Sequence, residues 1–101
     1  IYRNTLTFIP IKGMVTKRKK EVRKLFGAYL KTRRETVLGI KSVRQLSFSS
    51  NLDQSKLNKI ENGSLDFRFD TLLEIALTYK LKLSEIFNLD VSFWNDELDK
   101  N

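Results

Sequence analysis

Residues 42–63, SVRQLSFSSNLDQSKLNKIENG, decide the fold. Helical spacing across them yields two short helices with a tight corner between. Ser42 suits an N-cap, and Gln45, three residues on, has the spacing of a capping box. Val43, Leu46 and Ser50 then share one face of the first short helix. Ser49, Ser50, Asn51 and Asp53 crowd its end, and such side chains compete with the helical backbone and favour turns. Asn51 is the one best suited to a left-handed backbone. Leu52 is expected to point inward and Asp53 to cap a second helix running from Gln54 to about Glu61. Only Leu57 and Ile60 are apolar in that helix, so Gln54, Ser55, Lys56, Asn58 and Lys59 are expected to face outward. Gly63, with Asn62 before it, ends the helix.

A helix held by two apolar residues and showing Gln, Ser, Lys, Asn and Lys outward has the chemistry of a major-groove reader. Gln and Asn pair with adenine edges, Lys with guanine or phosphate, and Ser with either. The run resembles the helix-turn-helix of the lambda-repressor-like, XRE-type DNA-binding family. Leu46, Leu52, Leu57, Ile60, Glu61 and Gly63 stand where that family carries its core leucine, post-turn apolar residue, second-helix core pair and closing Glu-x-Gly. Ser47 replaces the usual alanine and Asn51 the usual glycine. The alternative is an ordinary helical hairpin.

The chain has 101 residues, enough for one domain with a modest core. It contains no Cys, hence no disulfide or thiolate metal site, which fits a reducing cytoplasm. It also lacks His, the usual general base and commonest metal ligand. The formal charge of +7 is unevenly spread. Residues 1–46 hold thirteen Lys or Arg against two acids, whereas residues 47–101 hold six against ten. A basic half of this kind points to a polyanion, nucleic acid first and anionic membrane second. No apolar run approaches the length of a membrane span.

Residues 1–13, IYRNTLTFIPIKG, alternate weakly in the manner of a strand ended by Gly13. Residues 1–16 are expected to be an arm, or residues 1–13 a leader upstream of Met14. After the basic run 17–20, KRKK, a phosphate-contacting arm or a frayed helix start, Val22, Leu25, Phe26, Tyr29 and Leu30 mark an amphipathic helix. Its other face carries Arg23, Lys24, Lys31 and Arg33, for which solvation is the simplest role. The resemblance implies an ion pair between Arg34 and Glu61, tying this first helix to the third and doing no chemistry. Val37, Leu38 and Ile40 of the following loop are expected to fold onto the core.

Beyond Gly63, Phe69, Leu72, Leu73, Ala76 and Tyr79 form an apolar stripe capped by Asp66 or Asp70. Leu81 and Leu83 lead to a last short helix for which Ser84 is a possible cap. The order TLLEIA, short link, LSEIF again resembles the family, with Phe67 near the place of its usual proline. The likeness spans about residues 21–89 and is strongest over 42–63 and 71–87. The tail, residues 90–101, sets Val91, Phe93, Trp94 and Leu98 among acids, as a self-association surface or a flap over the core.

The expected fold is therefore all-α, a compact five-helix bundle over residues 17–89 with a helix-turn-helix at 42–63. The expected function is sequence-specific binding of double-stranded DNA by a transcriptional regulator, a repressor in most such cases, working as a homodimer in the cytoplasm. Gln54, Ser55, Asn58 and Lys59 are expected to read bases; Lys41, Ser42, Arg44, Lys56 and Arg68 are expected to contact phosphates. A protein-interaction module that keeps the helix-turn-helix shape is the alternative. An enzyme is not expected, because no constellation of acid, base or nucleophile and no glycine-rich phosphate loop is present. No cofactor, metal or small-molecule substrate is implied.

Overall fold

The computed structural model describes residues 5–89, with side chains from residue 16 onward. These residues form five helices and no strand: α1 (Thr5–Thr36), α2 (Val43–Ser47), α3 (Gln54–Glu61), α4 (Phe69–Thr78) and α5 (Leu83–Phe87). The core is shared by all but the first turns of α1. Phe26 and Leu30 of α1 meet Leu46 of α2, Leu57 and Ile60 of α3, Ile75, Ala76 and Tyr79 at α4, and Ile86 of α5. Leu52 and Leu81 enter this core from the connecting segments. No helix among the described residues is long and apolar enough to cross a membrane.

The N-terminal region departs from expectation. Residues 6–11 continue α1 as helix, and Gly13 does not end it. Three alternating pairs are too few to specify a strand when no partner strand is at hand. Extending a nucleated helix costs only one residue's ordering per hydrogen bond gained. The KRKK run at 17–20 likewise sits inside α1, neither an arm nor a helix end, with Lys17, Lys19 and Lys20 exposed.

The crossing of α1 over α3 depends on two residues without side chains. A Cβ on Gly27 would overlap the Glu61 carbonyl and lie 2.5 Å from that of Ile60. Gly63 has φ +77, and a Cβ there would stand 2.6 Å from the Lys24 Cα. Gly63 also closes α3 in a Schellman motif, its N–H bonding the Ile60 carbonyl at 3.2 Å and that of Ser64 the Lys59 carbonyl at 3.0 Å. The same motif ends α4: the N–H groups of Lys80 and Leu81 reach the carbonyls of Leu77 and Ala76 at 3.3 and 2.8 Å. Here the left-handed residue is Lys80, with φ 55, where a side chain is costly.

Arg33 explains how α4 is held despite that cost. Its Nε and Nη2 donate to the Tyr79 and Lys80 carbonyls at 2.8 and 2.7 Å, capping the end of α4 from α1. It is therefore a tether, not a member of a solvated face. Other expectations also shift. Leu25, Val37, Phe69 and Leu73 are exposed rather than core, while Leu38 and Ile40 do pack inward. Neither Asp66 nor Asp70 caps α4, which begins at Arg68 without a side-chain cap. Lys82, not Ser84, precedes α5, and its N–H is satisfied by Glu85 Oε1 at 2.9 Å. Phe67 packs on Phe26 with ring centroids 5.9 Å apart. Val91, Phe93, Trp94 and Leu98 lie outside the described residues.

Gly27→Ala is expected to lower stability by about 2 kcal/mol or more, because overpacking against backbone outweighs alanine's helix propensity of about 1 kcal/mol. Lys80→Gly is expected to raise stability by about 1 kcal/mol by relieving the left-handed residue. Urea unfolding of both variants beside the parent protein measures each sign.

Candidate nucleic-acid interface

The α2–α3 corner is built by short polar side chains rather than by an unusual backbone. Ser42, extended at φ −132 and ψ 151, caps α2 by accepting from the Gln45 N–H at 3.0 Å. Only this serine half of the expected capping box forms. Because α2 stops at Ser47, Ser50 lies beyond it rather than on its face. Ser50 closes the corner: its Oγ accepts from the Leu52 N–H at 2.9 Å and pairs with the Thr78 hydroxyl at 2.7 Å. This i to i+2 bond reverses the chain locally, so Asn51 needs no left-handed conformation and adopts none. Its Nδ2 donates instead to Glu74 Oε1 at 3.1 Å, pinning the approach to α3 onto α4.

Asp53 then caps α3, its Oδ1 accepting from the Lys56 N–H at 2.8 Å. The carboxylate therefore serves the helix terminus, where negative charge is favoured. Leu57 and Ile60 are buried, and Gln54, Ser55, Lys56, Asn58 and Lys59 are all exposed. Among the described residues none of these five side chains has a hydrogen-bond or ion-pair partner, so each is available to a ligand. Gln54, Ser55, Asn58 and Lys59 line one open depression together with Asp53. Lys56 stands outside it.

Lys41, Ser42 and Arg44 gather as exposed residues at the start of α2, and Arg68 is exposed at the start of α4. None of them lines the depression on α3. Arg44 lies over the exposed Phe48 ring, 6.0 Å from its centroid. Among the described residues no cluster of three or more acids suited to a metal ion occurs.

Beneath α3 sits the charged centre of the domain. Arg34 grips Glu61 with two bonds, Nε to Oε2 at 2.9 Å and Nη2 to Oε1 at 3.0 Å. The two side chains are only 5% and 6% exposed. The remaining Arg34 nitrogen, Nη1, donates to the Ile40 carbonyl at 3.0 Å. The Tyr79 hydroxyl donates to Glu61 Oε2 at 2.6 Å. Every oxygen of this buried carboxylate is thus satisfied, which is the condition for a buried pair to be tolerated. The bond to Glu61 raises the Arg34 pKa further, against the opposing effect of burial. Burial, helped by the bond to Glu61, pushes the Tyr79 hydroxyl well above its ordinary range.

Periodicity alone marks Tyr79 only as an apolar residue. Its hydroxyl was the available signal, since a tyrosine on a core stripe needs a hydrogen-bond partner. Thr78, also buried, pairs with Ser50, and no local signal in the sequence marks that bond. No family model, curated protein or solved structure matches the chain.

Glu61→Ala is expected to cost about 3–5 kcal/mol by leaving Arg34 buried and unpaired. Tyr79→Phe is expected to cost less, about 1.5–3 kcal/mol, the worth of a hydrogen bond to a charged group. Because the folded Tyr79 pKa lies above its unfolded value near 10, the unfolded chain binds fewer protons in alkali. Stability contributed by this group is complete below about pH 10 and falls above it, by up to about 1.4 kcal/mol per pH unit. Unfolding measured at pH 9 and pH 11 is expected to show a smaller loss in Tyr79→Phe than in the parent.

Proposed function

We propose that this chain is a sequence-specific, double-stranded DNA-binding regulator, with α2 and α3 acting as a helix-turn-helix of the lambda-repressor-like kind. The observation that carries the reading is the outward face of α3. Five side chains that pair with bases or phosphates stand there exposed and unpartnered, on a helix whose inner face is fixed by two buried residues.

In this reading the N-terminal end of α3 enters the major groove. Gln54 and Ser55 meet base edges first, and Asn58 and Lys59 follow one turn later. Amide side chains pair in two places with adenine, and a lysine reaches guanine acceptors; each good pairing is worth roughly 1–3 kcal/mol of discrimination. Lys41, Ser42 and Arg44 sit over the sugar–phosphate backbone and fix register without reading sequence. Ser42 suits this role, because its oxygen accepts the helix cap while its O–H remains free to donate to a phosphate. Lys56 and Arg68 supply further charge. A pair of chains spans two half-sites about one turn apart, and occupancy of a promoter by the pair represses it.

The exposed cations of α1 add a sequence-independent attraction, which weakens as salt rises because phosphate contacts release condensed counterions. Fluorescence anisotropy against random-sequence duplex DNA over a salt series tests the reading. Binding that falls steeply with salt is expected, with Lys41→Ala and Arg44→Ala each reducing the salt slope by about one. Gln54→Ala, Asn58→Ala and Lys59→Ala are expected to leave most of that binding intact but to weaken a site selected from a random library by about tenfold or more. A folded protein that binds no duplex at low salt overturns the reading.

A further inference from the structure

We propose that the outward face of α4 is the seam along which two copies of this chain pair, antiparallel, about a two-fold axis near residue 75. A helix turns about 100° per residue, so its faces can be assigned directly. Ile75, Ala76, Thr78 and the adjoining Tyr79 form the buried side of α4. Turned about 140° away from it, Phe69, Leu73 and Leu77 make a stripe that is 63%, 37% and 72% exposed. A helix apolar on both sides is normally covered on both.

The charges flanking this stripe identify what covers it. Asp70 stands at its beginning and Lys80 just beyond its end, both exposed and, among the described residues, without an ion pair or hydrogen bond from the side chain. In an isologous interface, residue i meets j while j meets i. An antiparallel alignment that sets Leu73 against Leu77 of the second copy also sets Asp70 against Lys80, because both pairs are centred on residue 75. One surface therefore supplies its own apolar and electrostatic complement, which a second copy satisfies twice over. Phe48, beside Leu77 and equally exposed, widens the patch.

The seam also bears on geometry. Glu74 adjoins it and holds Asn51 just ahead of α3. Pairing through α4 would thus hold the two copies of α3 in one fixed relation. The proposal concerns self-association alone and does not depend on DNA binding.

Sedimentation equilibrium of the full chain without DNA is the test. A reversible approach to twice the 11.9 kDa monomer mass is expected as concentration rises. Leu73→Lys and Leu77→Lys, at exposed positions, are each expected to raise the dissociation constant by about tenfold or more while far-UV circular dichroism stays unchanged. Asp70→Lys and Lys80→Asp each set like charges together and weaken pairing several-fold; the double exchange restores it. A monomer mass at every concentration overturns the proposal, as does a dimer indifferent to Leu77→Lys. A double exchange that pairs no better than the single variants overturns the antiparallel register. Loss of pairing only in Phe93→Ala with Trp94→Ala would assign association to residues 90–101 instead.

Discussion

Glu61 is the point at which three helices agree. Its carboxylate lies at the end of α3, and its bonds come from Arg34 on α1 and from Tyr79 at the close of α4. Buried ion pairs are generally poor sources of net stability, because desolvating both charges costs about what their attraction returns. Their effect is instead conditional. With all partners present the carboxylate is neutral in cost; with one displaced it is a strong penalty. Such a group selects a single relative placement of the helices around it, whereas the apolar contacts of Leu30, Leu57 and Ile75 would tolerate some sliding.

Arg34 extends that selection into the loop that leads to α2 by donating to the Ile40 carbonyl. Its neighbour Arg33 holds the end of α4 through two carbonyls. Two consecutive residues of α1 thus hold the loop into α2, the end of α3 and the end of α4. The domain's registration is concentrated in the last turns of α1, while Gly27, further back on α1, and Gly63, just past α3, set how closely the two helices can approach.

The α2–α3 unit was the most legible part of the sequence, because its signals are local. Capping residues, a two-residue apolar face and a terminal Gly act within a few positions of one another, and Ser42, Asp53, Leu57, Ile60 and Gly63 all behave as their spacing implies. What was not legible depends on distant neighbours. Asn51 has the chemistry for a left-handed turn, but Ser50 makes the turn and Glu74, 23 residues away, captures the Asn51 side chain. Phe69 and Leu73 match a core stripe in periodicity; the apolar arc of α4 is wide, so period alone could not say which part of it meets the core. Arg33 and Arg34 are adjacent and alike in sequence, yet Arg34 is buried with Glu61 of α3 while Arg33 holds two carbonyls at the end of α4. The outward position of the five α3 residues was readable from pattern, whereas nothing in the fold itself specifies what they would bind.

The separation of inner and outer residues on α3 makes its surface interchangeable. Gln54, Ser55, Lys56, Asn58 and Lys59 contribute no side-chain bond to the domain, and the helix is secured by its caps and by Leu57, Ile60 and Glu61. Evolution or an engineer can rewrite those five letters as a set while the rest of the chain remains untouched. A lineage carrying this scaffold is free to diverge rapidly at its contact surface, and a library randomised at those positions alone would consist mainly of folded proteins.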